Sequence, residues 1–196
     1  MRRLVQVDRT SSGMTLVELL VTTTILAIVS LIVTGIFIST SRLHTKTARR
    51  AEVQMNSLQG LSLMTTELRQ AGADPATPPM GLTGLVSAQG DLIRVRSDLN
   101  GDGVLQTAEP SEDVTFSFDS TARAILRNPG SGTAVLVPNV KAMSLSYFNE
   151  LNQPITPLPL STANAALVRA VGVTITAEDR DSRAITFTTR VAFRNF

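Results

Sequence analysis

SSGMTLVELLVTTTILAIVSLIVTGIFIST, residues 11–40, decides the architecture of this chain. From Met14 to Ser39 the only ionisable side chain is Glu18. About 20 apolar residues span the hydrocarbon core of a bilayer, and this run exceeds that. A core helix of a soluble protein needs far less. Thr22, Thr23, Thr24, Ser30 and Thr34 fit such a helix, because a helical hydroxyl bonds back to a carbonyl one turn earlier. The stretch reads as a membrane span with one carboxylate near its start.

The flanks are unusual. A secretory signal places its small residues after the apolar region. Here Ser11, Ser12 and Gly13 precede it, directly behind a leader carrying Arg2, Arg3 and Arg9. Cleavage after Gly13 would leave the helix on the mature chain, with a new amine on Met14. A carboxylate inside a bilayer is costly without a partner, and that ammonium is one. Within one helix the two groups lie about a turn apart. Between staggered parallel helices, Glu18 of one subunit meets the Met14 amine of the next, and the pair sets axial register.

Gly13-Met14-Thr15-Leu16-Val17-Glu18-Leu19-Leu20 resembles the processing site of type IV prepilins and type II secretion pseudopilins. In that family a prepilin peptidase cuts after the glycine and methylates the new amine. The resemblance implies that Gly13 precedes the cut, that Met14 is methylated and that Glu18 is the assembly glutamate. Met14 stands where phenylalanine is commonest. The implied partners are the peptidase/methylase, other major and minor pilins or pseudopilins through the N-terminal helix, and an inner-membrane assembly platform. Basic residues flank both ends of the span, so charge alone does not set its orientation. The leader assignment does, with residues beyond about 40 outside the cytoplasm of a bacterial cell and later in a pilus or pseudopilus, at its tip.

Past the span, Leu43, Ala51, Met55, Leu58, Leu61, Met64 and Leu68 recur mostly at three- and four-residue steps, the mark of an amphipathic helix. Arg49, Arg50, Glu52, Asn56, Gln59 and Gln70 fall on the other face. No proline interrupts residues 14–74, and Gly72 and Pro75 end the pattern. A helix over 15–71 would be about 85 Å long, with Gly35 and Gly60 as flex points.

Residues 72–90 are rich in Gly, Pro and Ala and read as a helix-to-sheet loop. Strand-like runs follow at 92–96, 114–118, 124–126, 134–137, 140–148, 168–177 and 184–193, the last two forming a hairpin across 178–182. Residues 152–166, with three prolines, read as a second long loop. The expected fold is α+β: a long N-terminal helix packed on a mainly antiparallel β-sheet domain. Its parts are a leader (1–13), a transmembrane helix (14–40), an amphipathic helix (41–71), a loop (72–90) and a β-rich domain (91–196). The stretches 136–150 and 168–196, ending in Arg194-Asn195-Phe196, resemble the W-type minor pilins, with J-type pseudopilins next. That resemblance implies a structural subunit of a pilus rather than an enzyme.

DLNGDGVLQTAE, residues 98–109, fits the twelve-residue calcium loop. Ca²⁺ takes six to eight oxygens. Asp98, Asn100 and Asp102 offer side-chain oxygens, Val104 its carbonyl, Gln106 a direct or water-mediated contact, and Glu109 a closing carboxylate, with Glu112 or Asp113 as substitutes. The flanks read as strands, so the loop sits in a hairpin rather than between helices. Asn-Gly and Asp-Gly also suit metal-free turns.

The remaining chemistry is sparse. The chain has no Cys and a single His, His44, which removes Cys-based zinc sites and disfavours a Ser/His/Asp triad. Residues 1–13 hold a net charge of +2, which is the whole of the chain's formal charge. Residues 73–196 carry ten basic and twelve acidic side chains and one tyrosine, a poor nucleic-acid surface. An adhesin or DNA-uptake subunit on the same scaffold is the weaker alternative.

Overall fold

The computed structural model describes residues 13–106, 111–179 and 183–195. The order is α1 (Leu16–Gln70), β1 (Leu85–Ala88), β2 (Leu92–Arg96), β3 (Asp113–Asp119), β4 (Ala124–Asn128), β5 (Ala134–Val137), β6 (Val140–Phe148), α2 (Thr162–Ala165), β7 (Ala170–Glu178) and β8 (Ala184–Ala192). This is α+β, a long N-terminal helix followed by an antiparallel β domain. The chain divides into two compact units, Met1–Thr47 and Ala48–Phe196.

The described part of the first unit is helical from Leu16 on. Its most apolar 18-residue window has mean hydropathy 2.5, and none of it is buried against protein. The hydroxyls of Thr22, Thr23, Thr24 and Thr34 donate to carbonyls one turn back, which satisfies them without water. An apolar helical segment that no described residue covers has the length and composition to cross a membrane.

In the second unit the strands form two sheets, β1-β2-β3-β4-β5 and β6-β7-β8, every neighbouring pair antiparallel. The C-terminal half of α1 buries Val53, Ser57, Gly60, Leu61, Met64 and Leu68. Leu61, Met64 and Leu68 belong to the stripe expected from the large apolar residues, whereas Val53, Ser57 and Gly60 do not. Met55 and Leu58 are at least half exposed. At Gly60 the difference has a steric cause, since the helix runs too close to β5 there for a side chain. A Cβ on Gly60 would overlap Val137, so Gly60 is a contact glycine and not a hinge. The buried Ser57 hydroxyl donates to the Val53 carbonyl (2.8 Å). Arg127 of β4 pairs with Glu67 (2.8 Å).

The helix ends on Gly72, whose positive φ suits a C-terminal cap and whose N–H donates to Arg96 O (2.8 Å). The Asn195 side-chain amide donates to the Gln70 and Ala71 carbonyls (3.4 and 3.3 Å), groups a helix end leaves unpaired. Two segments read as loops hold short elements: β1 lies inside 72–90, and α2, capped by Ser161, lies inside 152–166. Both are four residues long, too short to leave a periodic signal. Tyr147 is buried, donates to Gln89 O (2.8 Å), and its burial pushes the phenol pKa up.

Candidate processing site and candidate ion-binding loop

Gly13 and Met14 precede the helix and are exposed. A Cβ at Gly13 would meet nothing within 4 Å, and Gly13 is not among the positive-φ glycines. Among the described residues, neither a close contact nor a positive φ requires glycine there. The leader, residues 1–12, lies outside the described residues.

Glu18 already has partners in its own chain. Its Oε2 accepts from the Thr15 N–H and from the Thr15 hydroxyl (2.9 Å each), while Thr15 Oγ1 accepts from the Glu18 N–H (3.2 Å). This is a capping box, two exposed amides satisfied reciprocally at the helix N-terminus. The Thr-x-x-Glu spacing was there in the sequence to find. The box places the carboxylate one residue from Met14, where a new amine would form.

The β2–β3 hairpin carries the acidic loop. Asp98, Asp102 and Glu112 each bring a carboxylate oxygen within 4.8 Å of the other two. Asp98 and Glu112 are buried and Asp102 is exposed. Asp98 accepts from the N–H groups of Gly101 and Gly103 (2.6 and 3.1 Å), both glycines at positive φ. Glu112 accepts from the Leu99 N–H on one oxygen (2.7 Å) and the Gln106 N–H on the other (2.9 Å). Asp102 accepts from the Val104 N–H (2.8 Å) and from the side-chain amides of Asn100 and Gln106 (2.9 and 2.7 Å). The Val104 amide, followed by the two side-chain amides, holds the Asp102 carboxyl below its ordinary pKa.

The substitutes proposed for Glu109 separate. Glu112 joins the cluster. Asp113 does not: Arg94 grips both its oxygens (2.7 Å each) and Arg96 adds a third bond (2.8 Å), and these contacts lower its pKa. Asp113 is the first residue of β3, so its side chain belongs to the sheet face that carries the arginines. Glu109 lies outside the described residues. The loop is also bound to the segment leaving α1, since Asp98 N–H donates to Ala73 O (2.7 Å) and Gly101 packs on Pro75.

Residues 8–34 match the family model of the prokaryotic N-terminal methylation motif. No curated protein matches the chain. The match covers Gly13, Met14, Glu18 and the start of the apolar run, and it supports a type IV pilin-like or pseudopilin subunit.

Proposed function

We propose that the chain is a minor type IV pilin, a structural subunit that joins a pilus or initiates its assembly. The observation that carries this is Gly13-Met14 with Glu18 one turn on, leading an apolar helical segment that no described residue covers. In this reading a prepilin peptidase removes residues 1–13 and methylates Met14. The helix sits once in the bacterial inner membrane with the residues beyond about 40 outside the cytoplasm, and the subunit then passes into the fibre near its tip. Its partners are other pilins, met through α1, and the assembly platform. The acidic balance of residues 73–196 argues against a DNA-uptake surface.

The minor-pilin assignment rests on the resemblance of the C-terminal strands to the W-type group. The runner-up is a J-type pseudopilin of a type II secretion system. Deleting the gene and counting sheared surface fibres tests the choice. Loss of fibres, with the mature chain present in wild-type fibre preparations, supports the pilin reading. Normal fibres with failed protein secretion support the pseudopilin.

The same reading places Ca²⁺ on the hairpin loop. The donors fit a hard cation: three carboxylates converge, all with oxygen atoms. Asn100 and Gln106 present amide nitrogens to Asp102, donors that stand in for positive charge. Turning the Gln106 amide over would offer its oxygen instead, while Asn100 Oδ1 already accepts the Asp102 N–H (3.0 Å). The Val104 carbonyl would complete the set from this part of the loop.

A further inference from the structure

We propose that the open edge of β8 receives an extended, uncharged strand from a neighbouring subunit, adding a fourth strand to the β6-β7-β8 sheet. The source of the strand rests on the reading of the chain as an assembled subunit. The edge itself does not.

The pairing pattern identifies the free groups. Phe193 N–H donates to Arg169 O (2.9 Å) and Asp179 N–H to Arg183 O (3.1 Å), so residue pairs 169/193 and 179/183 are hydrogen-bonded pairs. Between them β7 and β8 run in unbroken register from Ala170↔Ala192 to Glu178↔Ala184. Hydrogen-bonded and non-bonded pairs alternate in an antiparallel ladder. The odd-numbered residues of β8 therefore bond β7, and Thr186, Thr188 and Arg190 turn their N–H and C=O groups to the open side. Among the described residues no backbone group meets these amides and carbonyls, and such a row recognises another extended backbone.

The other edges are managed. The outer side of β6 is stitched to loops through Leu145 N–H to Gly90 O (2.7 Å) and Val140 N–H to Arg123 O (2.8 Å). β1 and β5 are four residues each, against nine for β8. Strand β8 has no lysine, proline or bulge, the usual guards of an edge. Its one charge, Arg190, lies over the Phe148 ring at 3.8 Å. Cross-strand hydroxyl pairs, Thr174–Thr188 and Thr176–Thr186 (3.2 Å each), hold the neighbouring side chains in place.

Beside the edge runs a groove of about 480 Å³ between α1 and β8, lined by Leu58, Leu61, Ser62, Thr65, Phe187 and Thr189. Alternate side chains of an added strand would enter it, the arrangement by which edge-binding peptides gain specificity. None of these six is ionisable, so a charged side chain entering there would find no counter-charge.

The test is hydrogen exchange on the full mature chain, in detergent and in fibres. In detergent the amides of Thr186, Thr188 and Arg190 should exchange fast and those of Phe187, Thr189 and Val191 slowly. In fibres the first set should slow on the order of tenfold or more. Thr188→Cys labelled with a benzophenone gives a second readout, since the chain has no other cysteine. Its cross-link should fall on an extended, uncharged segment of another subunit. Thr188→Pro removes an outward amide together with the Thr174–Thr188 hydroxyl pair, and Thr188→Lys guards the edge while keeping every backbone group. Both should lower incorporation. If the chain enters fibres while these amides exchange as in detergent, or if the label reaches only helices or lipid, the inference is wrong and the subunit reading stands. If the chain never enters fibres, both fall.

Discussion

Val137 on β5 occupies the space that a Cβ on Gly60 would need. Val137 is fully buried and β-branched, so it cannot swing aside cheaply. Gly60→Ala should therefore destabilise the protein by about 1–3 kcal/mol through overpacking, offset by at most about 1 kcal/mol of helix propensity. Val137→Ala should relieve the overlap, so the double variant should lose less than the two single losses together. Denaturant unfolding of the three variants checks this, and additive losses would contradict it. Gly35, with nothing within 4 Å of its Cβ position, should accept alanine.

Mass spectrometry of the membrane-extracted chain should give residues 14–196 with a methyl group on the Met14 amine. Gly13→Ala should fold unchanged, since nothing crowds that position, yet accumulate as precursor. An intact Met1 terminus from cells that contain the peptidase would refute the processing assignment.

The capping box separates two roles of Glu18. Thr15→Val removes the side-chain half of the box and costs about 1 kcal/mol of local helix stability, but leaves the carboxylate for a neighbour's ammonium. Glu18→Ala removes both roles. Insertion and cleavage should survive in each, while incorporation into fibres should fail only for Glu18→Ala. Equal incorporation of the two variants would mean that the carboxylate serves the cap alone.

These contrasts mark what the sequence could show. The long apolar helix, the methylation-type motif and the long strands were legible because hydropathy, short motifs and alternation are local. The buried face of α1 was legible in part: Leu61, Met64 and Leu68 lie on it, but so do Val53, Ser57 and Gly60, the last because the helix backbone runs against Val137 of β5. The loop motif pointed to Asp98 and Asp102. That Glu112 joins them while Asp113 turns to Arg94 depends on where β3 begins, a matter of tertiary register.

Asp113 should also set part of the acid sensitivity. Arg94, then Arg96, lowers its folded pKa below the ordinary 3.8. A depressed carboxyl contributes stability that is present above the unfolded pKa and lost as pH falls through the folded value. Stability should therefore drop below about pH 4, and Asp113→Asn should flatten that drop while lowering stability at pH 7. Unfolding curves across pH 2–7 check it, and an unchanged slope in Asp113→Asn would assign the acid response elsewhere.

The last prediction concerns Ca²⁺. Asp98, Asp102 and Glu112 crowd three carboxylates within 4.8 Å, and a cation bound only in the folded state would stabilise the hairpin. At tenfold excess over Kd the gain is about 1.4 kcal/mol, or roughly 3–6 °C in Tm for a chain of this size. The full chain in detergent should melt that much higher in millimolar Ca²⁺ than in chelator, and Mg²⁺ should substitute poorly because it demands tight octahedral geometry. The variants should differ in kind. Asp102 is exposed, so Asp102→Ala should lose the response with little cost in chelator. Glu112 is buried and accepts the Leu99 and Gln106 amides, so Glu112→Gln should lose the response and lose stability in chelator as well. Asp113→Asn should keep the response. Because Asp98 is bonded to Ala73, Ca²⁺ should also slow amide exchange at 72–74, beyond the loop itself. An unchanged Tm in the unmutated chain would make the loop an ordinary turn held by its own amides.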